Sequence, residues 1–195
     1  MNSTTRAYNM DARRAAAEAT RERIVDAAAD SLVNRWFDEV TIQSVAKDAR
    51  VSGQTVLNHF GDKETLFAAA ATRLGEQIMS VRGAAAPGDV DGAIEALVHD
   101  YELTGDGAIR GLALEERVPS IRPIMDRGRA GHRKWVGEMF GRPDLVHELV
   151  VATDVYSWKL LRRDQGLSQE ATRDSIRRTV RALLALAPEA EENLR

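Results

Sequence analysis

Gln54, Thr55 and Asn58 are three polar side chains within one short segment, preceded by Ser52 and Gly53 and interleaved with the apolar Val56 and Phe60. A glutamine or asparagine amide can pair with two atoms of an adenine edge, and a threonine methyl can meet a thymine methyl. That chemistry needs a helix that turns Val56 and Phe60 inward and leaves the polar residues outside. Ser52 is suited to cap such a helix, and Gly53 lets its first turn approach a groove closely. Just upstream, Ile42, Val45, Ala46 and Ala49 follow the i, i+3, i+4, i+7 spacing of a buried helical face. Thr41 can cap that helix, and Arg50, Val51 and Ser52 break its pattern. Two short helices joined by a tight turn describe a helix-turn-helix that reads the major groove. Thr41, Ser52, His59 and Lys63 are candidates for phosphate oxygens. Lys63 stands at the start of a further helix capped by Asp62, where free N–H groups also favour an anion. For His59 the alternative is packing at the domain edge.

The whole chain has 195 residues, enough for one large or two smaller cores, and a net charge of −3. Residues 1–73 carry ten Lys/Arg and ten Asp/Glu, so DNA affinity must come from local placement of charge rather than from a large positive field. There are no cysteines, which excludes disulfides, thiolate catalysis and cysteine-held zinc and agrees with a reducing cytoplasm. No apolar run is long enough to span a membrane, and the N-terminus lacks the apolar core of a signal peptide. The four histidines, His59, His99, His132 and His147, are scattered. No phosphate-binding loop, nucleophile elbow or dinucleotide fingerprint is present. An acid–base dyad of His132 with Asp126 or Glu138 is the most an enzymatic reading can offer. No cofactor and no metal are expected.

Almost every segment has helical period, and no repeat or strand signal appears. Residues 1–10 read as disordered, 11–35 as a helix with Ile24, Ala27, Ala28, Ser31 and Leu32 on one face, and about 63–81 as the fourth helix. Ala84 to Asp89 is the clearest break. Further helices are predicted over about 90–104, 107–118, 123–140, 144–164 and 169–187, with Pro87, Pro119, Pro123, Pro143 and Pro188 at their edges. The last two carry apolar faces, Leu145, Leu149, Ala152, Tyr156 and Leu160 on one and Ile176, Val180, Leu183, Leu184 and Ala187 on the other. These fit either a dimer interface or the monomer's own core.

With the helix-turn-helix in place, its surroundings resemble the TetR family of bacterial transcriptional regulators. The matching stretches are AAADSL in the first helix, FDEVTIQSVAKDARVS through the second helix and turn, and QTVLNHFGDKETL into the fourth; SWKLLRRDQGLSQEATRDSIRRTVRALLA resembles the family's closing helix pair. The resemblance implies an all-α fold: a flexible basic tail over 1–15, a three-helix helix-turn-helix domain over 16–65, and a larger helical ligand-binding and dimerisation domain over 66–195. It implies a cytoplasmic repressor rather than an enzyme, bound to a palindromic double-stranded operator as a homodimer through the last two helices. The alternative is a helical small-molecule-binding protein or enzyme whose helix-turn-helix does not read DNA.

Three departures from the family pattern stand out. Trp36 and Arg50 replace usual glycines, of the kind that serve positive φ, and Leu57 replaces an aromatic that often touches phosphate. Arg50 can compensate by reaching a phosphate itself. Resemblance favours phosphate contact for His59. Arg6, Arg13 and Arg14 read as a solubilising tail, with a minor-groove arm as the alternative. A small, largely apolar effector is implied in the C-terminal part. There Tyr101, Met125, His132, Trp135, Met139, Phe140, Tyr156 and Trp158 offer either adaptable pocket walls or ordinary core.

Overall fold

The computed structural model describes residues 3–187, with side chains from Met10 onward. Among these residues the chain forms nine α-helices and no strand. The helices are α1 (Ser3–Asn34), α2 (Ile42–Asp48), α3 (Gly53–Phe60), α4 (Lys63–Arg82), α5 (Val90–Leu114), α6 (Arg122–Phe140), α7 (Val146–Thr153), α8 (Val155–Lys159) and α9 (Gln169–Leu184). The chain divides into two compact units between Leu74 and Gly75, inside α4. None of the helices is long and apolar enough to cross a membrane.

In the first unit, Ile24, Ala28, Val45, Val56, Leu66 and Ala70 are fully or almost fully buried, and Phe37 meets Phe67 with ring centroids 4.9 Å apart. The apolar positions of α1, α2 and α3 therefore point at one centre, as their spacing requires. Arg73 on α4 pairs with Glu22 and Asp26 on α1, and Arg35 pairs with Asp48 at 2.9 Å, joining the end of α1 to the end of α2.

The stretch expected to be a disordered or flexible tail is helical from Ser3. Alanines at 12, 15, 16, 17 and 19, alternating with arginine and glutamate, have high intrinsic helix propensity. That suffices to extend α1 without burial, since residues 10–19 are all exposed. Arg13 and Arg14 thus stand on helical backbone, while the side chain of Arg6 lies outside the described residues, as does Pro188.

In the second unit α5 packs against α6, α8 and α9, and α7 packs against α6 and α9. Ile94, Leu97, Val136, Leu149, Trp158, Ile176 and Val180 form the interior. Two predicted boundaries differ from what forms. The break expected between 104 and 107 does not occur, and α5 runs unbroken to Leu114. Gly105 is there for close approach: a Cβ at that position would stand 2.6 Å from the Trp158 ring. Conversely, the single helix expected over 144–164 is divided. A 3₁₀ turn (Pro143–Leu145) leads into α7, extended Asp154 (φ −70°, ψ 153°) separates α7 from α8, and a π turn (Leu160–Asp164) follows. The Asp154 carboxylate accepts from the Tyr156 N–H at 2.8 Å and restarts the helix as its cap. On the last three helices Leu149, Ile176 and Val180 serve the monomer's core, while Val151 and Tyr156, and Leu160 at the start of the π turn, remain exposed.

Candidate nucleic-acid interface

The turn between α2 and α3 is built by local hydrogen bonds. Thr41 Oγ1 accepts from the Ser44 N–H at 3.0 Å, and Ser44 Oγ accepts from the Thr41 N–H at 3.0 Å, a reciprocal capping box. At the other end of α2, Arg50 N–H donates to Lys47 C=O (3.1 Å) and Val51 N–H to Ala46 C=O (2.9 Å). This is the Schellman closure, which needs a left-handed residue between the two donors. Arg50 takes that conformation with φ +57°, the sole positive φ among the described non-glycine residues. The expectation of positive φ is therefore met at Arg50 and not at Trp36. Ser52 Oγ then accepts from the Thr55 N–H at 3.0 Å and starts α3.

These bonds decide which candidate side chains face outward. Gln54 and Asn58 are exposed, one turn apart, and Gln54 Nε2 donates to Asn58 Oδ1 at 2.9 Å. Gln54 Oε1 and the Asn58 amide hydrogens stay available beside each other. Thr55 is half-buried, and its hydroxyl lies 2.8 Å from Ser52 Oγ, so it supports the cap. Only its methyl is left to offer a base. A Cβ on Gly53 would stand 3.8 Å from Gln43 Nε2 and 3.9 Å from Ile42 Cγ2, ordinary contact distances. Packing within the protein therefore does not demand glycine there.

The remaining candidates divide. Arg50 is exposed, and Thr41 and Ser52 are exposed caps; the Thr41 hydroxyl keeps its hydrogen for a phosphate, whereas the Ser52 hydroxyl shares a hydrogen bond with Thr55 Oγ1. His59 is half-buried, its ring 6.3 Å from Phe60. Lys63 is turned inward: Nζ donates to Phe37 C=O at 3.2 Å and lies 4.9 and 5.4 Å from the Phe37 and Phe67 ring centroids. Its ammonium thus holds the loop after α1 as well as standing near the start of α4. Gln43, exposed on α2 next to Gly53, escapes a reading by sequence alone, and Leu57, marked in the sequence only as the replacement of an aromatic, is 38% exposed between Gln54 and Asn58. Their signal is position, since both fall on polar faces of their helices.

The residues proposed for an effector are brought largely together. Tyr101, Trp135, Met139, Phe140 and Trp158 belong to one buried cluster, which encloses His132. Met125 is half-buried, with its thioether 3.0 Å from where a Gly111 Cβ would be, and Tyr156 stands apart, 54% exposed. Through the cluster runs a polar chain that periodicity could not reveal. Arg82 Nε donates to Asp100 Oδ2 (2.7 Å), Arg82 also meets His132 Nδ1 (2.9 Å), His132 Nε2 lies 3.1 Å from Thr153 Oγ1, and Tyr101 OH donates to Thr153 C=O (3.0 Å). The Thr153 hydroxyl is donated to Leu149 C=O at 2.6 Å, so it accepts from Nε2–H and leaves Nδ1 to accept from Arg82. Burial and then the Arg82 charge push the His132 imidazole down to about 3, keeping it neutral. Burial likewise raises the Tyr101 phenol and keeps it a donor. The dyad considered for His132 does not form: Asp126 pairs with Arg129, and Glu138 with Lys134.

Comparison with known proteins agrees with this geometry. Residues 24–70 match the family of bacterial regulatory proteins described as the tetR family. The HTH-type transcriptional repressor Rv3405c of Mycobacterium tuberculosis is 26% identical over 170 residues, 83% of this chain and 85% of that protein. The HTH-type transcriptional regulator AlkX of the same species is 30% identical over 81 residues, and that match spans only 38% of AlkX and 42% of this chain. Among solved structures, a protein from Rhodococcus sp. assigned to the TetR-family transcriptional regulators aligns over 86% of this chain and all of its own, with a TM-score of 0.65 at 14% identity. The multidrug binding protein EbrR, complexed with imidazole, aligns over 89% of this chain and 98% of its own, with a TM-score of 0.58 at 20% identity. The chain belongs to the TetR family and is a DNA-binding transcriptional regulator.

Proposed function

We propose that this regulator is a repressor that binds a palindromic operator as a homodimer and leaves it when a small, largely apolar molecule binds the second unit. In this reading residues 16–65 read DNA and residues 66–195 hold the ligand and the partner copy. The observation that carries it is the paired, exposed Gln54 and Asn58 on a helix whose start is capped and whose opposite face is locked by Val56 and Phe60. Base-edge contact falls to Gln54, Asn58 and the Thr55 methyl, and phosphate contact to Thr41, Arg50, Ser52, His59 and Lys63. Repression is supported by the name of the relative Rv3405c. Because the target is chromosomal DNA, the protein works in the cytoplasm.

Dimerisation is supported by the shallow cleft on α7 and α9 lined by His147, Glu148, Val151, Ala152, Thr179 and Leu183, and by the exposed Tyr156 and Leu160. A two-fold pair would set its recognition helices on half-sites about 34 Å apart. For the effector, EbrR supports a small-molecule site by its name as a multidrug binding protein. In this chain the Trp135 indole N–H is buried without an acceptor, so a ligand carrying one acceptor atom on an apolar body suits that interior.

Selection of bound fragments from genomic DNA, followed by mobility shift on the enriched sequence at two salt concentrations, tests the reading. One enriched near-palindrome, bound as a dimer and released with rising salt, is the expected result. No enrichment, with no retention even at low salt, would turn the search to the second unit as a binding or catalytic site.

A further inference from the structure

On α3, Val56 is fully buried and Phe60 is 7% exposed, which fixes the inward face of the helix. Positions 54, 57 and 58 stand at i, i+3 and i+4 and are neighbours on the surface left outside. Two of them carry amides joined to each other. The third is Leu57, 38% exposed. Leu57 keeps more than a third of its surface outside the core that Val56 and Phe60 close, and it can neither donate to nor accept from a phosphate. In the major groove the base edges present donors and acceptors with a single apolar exception, the C5-methyl of thymine.

We propose that Leu57 is a specificity-determining residue that rests on the C5-methyl of one thymine in each half-site, beside the base read by Gln54 and Asn58. The contact removes two apolar surfaces from water together. Placed against cytosine, the same side chain meets a bare C5–H and loses the methyl contact, so the preference comes from the methyl itself. The proposal rests on the DNA-reading role of α3 and names one of the bases that role selects.

Deoxyuridine in place of thymine removes only the methyl and leaves pairing and hydrogen-bonding groups intact, so it isolates this contact. Each thymine of the selected operator is replaced in turn, in both half-sites, and binding is measured for the parent protein, Leu57→Ala and Leu57→Gln. One position is expected to weaken the parent by about fourfold per half-site. Both variants should bind the thymine operator more weakly and be indifferent to uridine at that position, while still unfolding cooperatively well above the assay temperature. A parent indifferent to uridine everywhere, or variants that keep its full sensitivity, would overturn the role of Leu57 while DNA binding stands. If the parent retains no DNA at low salt, the reading of α3 fails and this inference fails with it.

Discussion

The edge of α3 and the polar chain inside the second unit use similar groups to opposite ends. Gln54 and Asn58 make one hydrogen bond to each other and hold their other donors and acceptors toward solvent. Arg82, Asp100, His132 and Thr153 are at most 9% exposed, and each is bonded to another member of the set. A polar group whose capacity is spent indoors fixes architecture, because leaving it unpaired there is costly. One whose capacity is left outside is free to recognise. The same sequence therefore carries polar residues that shape the protein and polar residues that address something else, and hydrogen-bond accounting separates them where residue type cannot.

The sharpest way to break this contrast is Asp100→Ala. It strands the Arg82 guanidinium in the core, and stability should fall by about 3–5 kcal/mol in urea titrations. A loss no greater than that of an exposed Asp→Ala change would mean the pair is not buried in solution.

His132 offers a test by pH. Its folded value lies at about 3, against 6.5 when unperturbed. Between these limits the unfolded chain binds a proton that the folded chain does not. The associated stability is complete above about pH 6.5 and declines as pH falls toward 3, by at most about 1.4 kcal/mol per pH unit. His132→Gln should flatten that part of the stability–pH curve, which chemical denaturation at several pH values will show.

On the outward side, Asn58→Ala should cost about 1–3 kcal/mol on the operator, little on random DNA, and nothing measurable in melting temperature. Because Gln54 and Asn58 are joined, the double alanine variant should lose less than the sum of the singles. Additive losses would mean the two amides act separately.

Arg50→Gly has the smallest expected effect and two opposed signs. Relief of the left-handed backbone should stabilise the protein by roughly 1 kcal/mol. Taking the guanidinium away from a phosphate should weaken DNA binding and lower the salt slope by about one charge. A more stable variant with unaltered DNA binding would remove Arg50 from the interface.

How far each region is legible in the sequence follows from the same contrast. The helix-turn-helix is legible because it is local: apolar spacing, the caps Thr41 and Ser52, and the left-handed requirement at Arg50 all lie within a few residues of what they control. Lys63 is only half legible, since its partners Phe37 and Phe67 lie across the fold or on the next turn. In the second unit the controlling contacts join distant residues. Gly105 reads as a helix breaker until Trp158 is seen against it, and Asp154 reads as one more polar helical residue until it is seen to cap. The Arg82, Asp100, His132 and Thr153 set spans four helices, and no periodicity marks it.

The close approach of Trp158 to Gly105 also bears on how this chain can change over generations. A side chain at 105 meets the indole at 2.6 Å, and a smaller ring at 158 leaves a void over a bare stretch of α5. Each single step is disfavoured, whereas a paired exchange of bulk keeps the interior filled. Descendants of this sequence should therefore hold both residues or trade them together, so that the two positions are inherited as one unit although they stand 53 positions apart.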